Sequence, residues 1–299
     1  MMPWLERPWQ QLNTSFKAGR FHHAQLLAGL QGVGKLALAQ GLADAILCEN
    51  TSELLACGQC KSCALIAAQT HPDKLLVSSE GATIGVDEIR AIADFIYHSA
   101  QQGGNKVVIV HQAHKMTHSA ANALLKTLEE PNAKRFLILT CDDVAQLPAT
   151  IVSRCAKSNV AVQSQQQVRA WLIQQLGDYV DQPWIDLFVS QPLKIKHWIE
   201  TSQVEQINQL FNSIERLGHD TDVSECVELL MKSPELVSEM SLFVQERIKQ
   251  RLCEGADFFK ITASQRALSE FIKDHQQIPG LNLQLALLKL FTSLKQALQ

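Results

Sequence analysis

The sequence predicts an α/β domain built on a parallel sheet, followed by an all-helical remainder. Three observations carry that prediction. Between residues 24 and 162, short apolar runs alternate with longer helix-period runs, as in βαβ units whose sheet is covered on both faces. A glycine-rich turn ending in Gly34 and Lys35 joins the first strand-like run to the first helix-like run. From about Ser164 onward the strand signal stops, and apolar residues recur only at spacings of three and four.

Taken in chain order, the brief apolar runs at 25–28, 75–78, 107–110, 136–140 and 158–162 are candidate strands. Between them, residues 35–47 place Leu38, Leu42, Ala45 and Ile46 on one stripe, and residues 87–99 repeat Ile89, Ile92, Phe95 and Ile96. Thr117 can cap a helix that runs through Leu124, Leu125 and Leu128 and stops at Pro131. The run from Leu147 to Ser153 suggests one more short helix at the edge of the sheet. A break near Gln191 and Pro192 suggests a small helical lid over 164–204. Val204, Ile207, Leu210, Phe211, Ile214 and Leu217 then open a separate helical domain, whose last helices lie around 242–253, 264–273 and 281–298. The expected domains are 1–163, 164–204 and 205–299.

Composition limits the function classes. At 299 residues the chain exceeds the roughly 250 residues at which single cores stop growing. Hydrophobic content of 46% against 19% charged residues excludes a largely disordered protein. A net charge of −3 gives no electrostatic footprint for gripping DNA unaided, so a nucleic-acid role would be shared with partners. The first nine residues carry early charges and prolines, with no apolar core of a signal peptide. The apolar C-terminal stretch is broken by Asn282, Gln284 and Lys289, so no membrane span is expected and the protein is expected in the cytoplasm.

Gly29, Gly32, Gly34 and Lys35 have the spacing and context of a phosphate-binding loop, whose backbone N–H groups cradle phosphate at a helix N-terminus. Leu36 stands where such loops carry a hydroxyl on Mg²⁺, and His111 and Gln112 follow the third strand where a hydrolase carries its acidic pair. Hydrolysis is therefore not expected. Whether the loop still holds ATP is left open by these residues. His111 and His114 lack a third ligand by spacing and read as polar residues at a strand end.

Cys48, Cys57, Cys60 and Cys63 form C-x₈-C-x₂-C-x₂-C in a polar loop. Four soft ligands suit a closed tetrahedral Zn²⁺ site, structural because no coordination position stays open for water. Unrelated thiols, an iron–sulfur cluster and a redox dithiol are the competing readings. Arg154, taken alone, reads as a solvated surface arginine.

Three further runs change that reading. Leu124-Leu125-Lys126-Thr127-Leu128-Glu129-Glu130-Pro131, Ser153-Arg154-Cys155, and Thr70-His71-Pro72-Asp73 with the later Gly85-Val86-Asp87 closely resemble signatures of the clamp-loader subunits of bacterial DNA polymerase III, in the AAA+ class. The resemblance covers most of the chain and is strongest over 21–160. It implies an AAA+ parallel-sheet domain with a zinc-binding insertion, a helical lid and an all-α collar that joins a pentameric ring. That ring uses ATP to open a sliding clamp and place it on primed DNA in replication, as part of a DNA-directed DNA polymerase (nucleotidyltransferase) holoenzyme. Implied partners are motor subunits, a clamp-opening subunit and, through the complex, the sliding clamp and primed DNA.

In this family a stator-type member does not hydrolyse ATP and offers the arginine of its Ser-Arg-Cys motif, here Arg154, to the nucleotide of an adjacent motor subunit. The damaged residues at Leu36, His111 and Gln112 favour that type, although the zinc module is shared with motor members. This chain departs from some non-hydrolysing members in keeping Gly34-Lys35. An ATP-hydrolysing motor subunit and a zinc-dependent nucleic-acid adaptor are the alternative readings.

Overall fold

The five apolar runs become five parallel strands, β1 (Ala24–Ala28), β2 (Lys74–Val77), β3 (Lys106–Val110), β4 (Arg135–Cys141) and β5 (Ala156–Asn159), in the order β2-β3-β4-β1-β5. They are seen in a computed structural model that describes residues 2–51, 53–79, 83–130, 133–177, 181–217, 223–278 and 280–298. Every residue of β1 and β3 is buried, as expected of central strands covered on both faces. One strand differs from the expectation. The apolar run at 158–162 marks the exit from β5 and not the strand itself. Pairing with β1 runs from Gln25 opposite Ala156 to Ala28 opposite Asn159, and the Val160 N–H already donates to Ala28 O (2.7 Å) where β1 ends. As an edge strand, β5 alternates half-buried and exposed residues and needs no apolar run.

Helices α1 (Glu6–Lys17), α2 (Lys35–Leu47), α3 (Lys61–Ala67), α4 (Val86–Tyr97), α5 (His118–Glu129), α6 (Ala149–Val152) and α7 (Gln165–Leu176) accompany the sheet. The bounds of α2 coincide with those read from the sequence. Thr117 caps α5, its side chain accepting the Ala120 N–H (3.2 Å), and α5 ends at Glu129; Pro131 lies outside the described residues. Ile89, Ile92 and Ile96 of α4 and Leu124 and Leu128 of α5 pack with Val108, Val110, Leu137 and Leu139 of the sheet into one buried core.

Helical elements complete the chain: α8 (Ile185–Phe188), α9 (Pro192–Glu200), α10 (Val204–Glu215), α11 (Val223–Lys232), α12 (Val237–Cys253), α13 (Phe258–Gln277) and α14 (Leu283–Leu298). Both α12 and α13 begin several residues before the bounds read from the sequence, with Val237, Met240 and Ile261 already buried. Among the described residues no helix is long and apolar enough to cross a membrane.

The chain packs as two units. One comprises Met1–Gly177 with Val189–Lys194; the other comprises Asp178–Phe188 with Ile195–Gln299. In the second, Trp184, Phe188, Trp198, Phe211 and Phe243 form a chain of edge-on ring contacts with centroids 4.8 to 6.2 Å apart. Such edge-on pairs add to simple area burial. The Trp184 indole N–H finds Asn208 Oδ1 at 2.6 Å, so the ring is buried without orphaning its donor.

Candidate functional site

The sheet register assembles the glycine-rich loop. Ala28, the last residue of β1, stands opposite Cys141 of β4, and the Gly29 N–H donates to Cys141 O (3.1 Å). Asp142, one residue past β4, is thereby set beside the loop. Gly29 itself is required by close approach: a Cβ there would lie 1.9 Å from Val160 O. Gly34 adopts φ +94° at the N-cap of α2, a conformation that favours glycine.

Lys35 is 4% exposed, and its ammonium is saturated from within. It donates to Gly29 O (2.7 Å) and Leu30 O (2.8 Å) and pairs with Asp142 Oδ1 (2.7 Å), matching three donors with three acceptors. A lysine in the first turn of a helix opposes the helix dipole, and these oxygens offset that cost. The loop is also covered. The Trp4 indole N–H donates to Val33 O (2.8 Å), and a Cβ on Gly34 would touch Met2 Sδ at 3.0 Å. On the other side the Leu193 N–H donates to Gly32 O (3.0 Å). An open cleft of about 600 Å³ beside the loop is lined by Gly29, Leu30, Asp142, Asp143, Lys157 and Asn159 among others.

Where a hydrolase would hold metal, the third strand ends in imidazole and amide. Thr140 Oγ1 accepts the Gln112 N–H (2.9 Å) and is also hydrogen-bonded with His111 Nδ1 (2.9 Å). His114 Nδ1 accepts the Asp142 N–H (3.3 Å), so its Nε2 hydrogen faces Asp142 Oδ2 (3.5 Å). Burial holds both imidazoles below the usual histidine range. Gln112 takes a left-handed backbone (φ 54°), which turns the chain away from the sheet.

Arg154, just beyond α6, lies on the surface with 36% of its side chain exposed. Its Nη1 donates to Thr150 O (3.0 Å) and Ser153 Oγ (3.4 Å), and its Nη2 meets Glu129 Oε1 at 2.6 Å. Burial pushes the neighbouring Cys155 thiol up to about 11.

The four cysteines predicted as ligands converge. Cys48 caps the end of α2, Cys57 lies in the loop between α2 and α3, Cys60 is the N-cap of α3, and Cys63 lies within α3. Their sulfurs all lie within 4.8 Å of one another, with Cys48–Cys60 and Cys57–Cys63 both 3.9 Å apart. Ligands about 2.3 Å from a tetrahedral ion would be separated by ~3.8 Å, so the cluster has the size of a metal site. Backbone N–H groups of Gln59 and Cys60 point at Cys57 Sγ and hold its thiol below the usual cysteine range. These four residues can hold a metal ion. The sheet anchors the cluster: Ser62 Oγ meets His71 Nε2 (2.6 Å), His71 Nδ1 accepts the Asp73 N–H (3.1 Å), and the buried Asp73 carboxylate accepts the N–H groups of Gln101 and Gln102 (both 2.9 Å).

Sequence reasoning named the loop, the cysteines and Arg154, but not their counter-charges, Asp142 and Glu129, nor the Trp4 cover. A carboxylate directly after the strand that pairs with β1 was the available signal for Asp142.

The chain is similar to known proteins in sequence and fold. It is 42% identical over 173 residues to DNA polymerase III subunit delta' of Haemophilus influenzae, covering 58% of this chain and 53% of that protein. To DNA polymerase III subunit gamma of Buchnera aphidicola (from Acyrthosiphon pisum) it is 34% identical over 161 residues, 54% of this chain and 44% of that one. The chain thus spans about half the length of the curated relatives it matches. In fold it resembles a DNA polymerase III gamma subunit-related protein from Thermotoga maritima, with a TM-score of 0.54 at 18% identity over 96% of this chain and 100% of that one. Residues 4–164, more than half of the chain, match the family model described as DNA polymerase III, delta subunit, so the chain belongs to the DNA polymerase III delta-prime family.

Proposed function

We propose that the chain is a non-hydrolysing stator of the DNA polymerase III clamp loader, which loads a sliding clamp onto primed DNA. In this reading it supplies Arg154 to the nucleotide of an adjacent motor subunit. The observation that carries the reading is the state of Lys35: all three of its N–H donors are spent on Gly29, Leu30 and Asp142. A phosphate arriving at this loop would have to displace a buried ion pair and meet no metal-holding carboxylate at His111 or Gln112. By contrast, Arg154 sits on the surface, where a second chain can reach it. An arginine acting in trans needs no local catalysis, only a guanidinium delivered to the transition-state charge.

The four-cysteine cluster is read as a zinc site. Zinc would supply a closed tetrahedral cross-link between the end of α2 and the start of α3, with no position left for reactive water. Residues 164–204 are read as a lid and 205–299 as the collar that joins the ring. The clamp-opening and motor subunits are its partners, and it works in the cytoplasm.

The test is ATP hydrolysis by the isolated chain and by a complex reconstituted with motor and clamp-opening subunits. The isolated chain should not turn over, and Arg154→Ala should slow the complex without preventing its assembly. A trans-acting arginine contributes roughly 10³–10⁵ at its own site, a loss diluted by the other sites in a whole-complex rate. An unchanged rate removes the trans role. Turnover by the isolated chain that disappears in Lys35→Ala would make it a motor.

A further inference from the structure

The guanidinium assigned a role on a neighbour's nucleotide is not free in this chain. Arg154 Nη2 is held by Glu129 Oε1 at 2.6 Å, while Nη1 is tethered to Thr150 O and Ser153 Oγ on its own turn. Glu129 is the last residue of α5, so the arginine lies at the negative end of that helix dipole, next to a carboxylate. Two features make this seat exchangeable. The pair is open to water, with 36% of the arginine side chain and 48% of the glutamate exposed, and exposed ion pairs contribute little. The tether to Thr150 and Ser153 is separate from the Glu129 contact, so releasing Nη2 leaves the fork anchored by its other nitrogen.

Recognition of phosphate by arginine favours two parallel N–H···O bonds, and a carboxylate on the same edge both blocks one donor and cancels the charge. Resting on the trans role of Arg154 proposed above, we propose that Glu129 is the cis counter-ion that seats Arg154 until the phosphate of a neighbour's nucleotide displaces it. Glu129 is then a positioning residue. It competes with the neighbour's nucleotide for the same nitrogen and so weakens nucleotide binding at that site without entering the chemical step.

The experiment is steady-state ATP hydrolysis by the reconstituted complex as a function of ATP concentration, with the chain as wild type, Glu129→Ala, Glu129→Asp, Arg154→Ala and Arg154→Ala/Glu129→Ala. Removing a ground-state competitor should lower KM for ATP two- to fivefold with kcat within twofold; fivefold corresponds to about 1 kcal/mol, the upper range for exposed pairs. Glu129→Asp should restore the wild-type KM, and Glu129→Ala should have no effect once Arg154 is alanine. A KM changed by less than 1.5-fold, a KM that rises, a fall in kcat, or the same shift in the Arg154→Ala background each overturns the proposal. If Arg154→Ala slows the complex and Glu129→Ala is silent, only the Glu129 assignment fails. If Arg154→Ala is itself silent, the trans role fails and takes this proposal with it. The urea midpoint of Glu129→Ala, expected unchanged for a surface substitution, separates these results from misfolding.

Discussion

Replacing Asp142 with alanine strands the Lys35 ammonium. Removing one member of a buried pair typically costs about 3–5 kcal/mol because the remaining charge has lost its compensation. Here Asp142 is 24% exposed and Lys35 keeps the carbonyls of Gly29 and Leu30, so the cost falls to about 2–3 kcal/mol. Lys35→Met should cost less, about 1 kcal/mol, since a partly exposed carboxylate can be rehydrated. The double variant should then resemble Lys35→Met, a coupling of about 2–3 kcal/mol. With a urea m-value of about 2 kcal/mol/M, Asp142→Ala moves the midpoint down by about 1–1.5 M, read by far-UV circular dichroism. A shift below about 0.3 M, or a double variant equal to the sum of the singles, would show that Lys35 is not neutralised from within.

Three other outcomes follow from the same geometry. Gly29→Ala drives a Cβ to 1.9 Å from Val160 O and should cost about 3 kcal/mol or more by prising β5 from β1, measurable as lost amide protection in those strands. Because burial lowers the His111 and His114 pKa values, the unfolded chain binds protons more readily; the stability tied to the neutral rings is present above about pH 6.5 and lost as pH falls from there toward the folded values. Urea midpoints between pH 7.5 and 5 should show this slope, reduced in His111→Gln; an equal slope in that variant assigns it elsewhere. Cobalt added to metal-stripped protein should bind one ion per chain with the visible bands of tetrahedral thiolate coordination, lost in Cys60→Ser; octahedral spectra would dismiss the four-sulfur site.

How much of this was legible in the sequence differs by element. Central strands and α2 were read closely, because full burial leaves β1 and β3 apolar apart from Gln25 and Lys106 and buries Leu38, Leu42, Ala45 and Ile46 of α2 together. The polar edge strand β5 was displaced by two residues, since its position is set by hydrogen bonds to β1 and not by its own hydrophobicity. The cysteine spacing was sufficient to foresee a four-sulfur cluster. Its anchorage through Ser62, His71 and Asp73 was not, because those bonds depend on where the loop falls against β2. For the same reason the partners of Lys35 and Arg154 were invisible: Asp142 lies 107 positions along the chain from Lys35, and only sheet register places them together.

The position of β1 also has a temporal consequence. It is the first strand of the sheet to be synthesised, yet both of its neighbours, β4 and β5, come from more than a hundred residues downstream. At roughly 5–20 residues per second, on the order of 5 to 25 seconds pass before either can pair with it. Throughout that interval β1, whose five residues are all buried in the finished sheet, and the buried side of α2 lack their native cover. The parallel topology that brings the glycine-rich loop beside Asp142 in the finished protein is the reason for that delay.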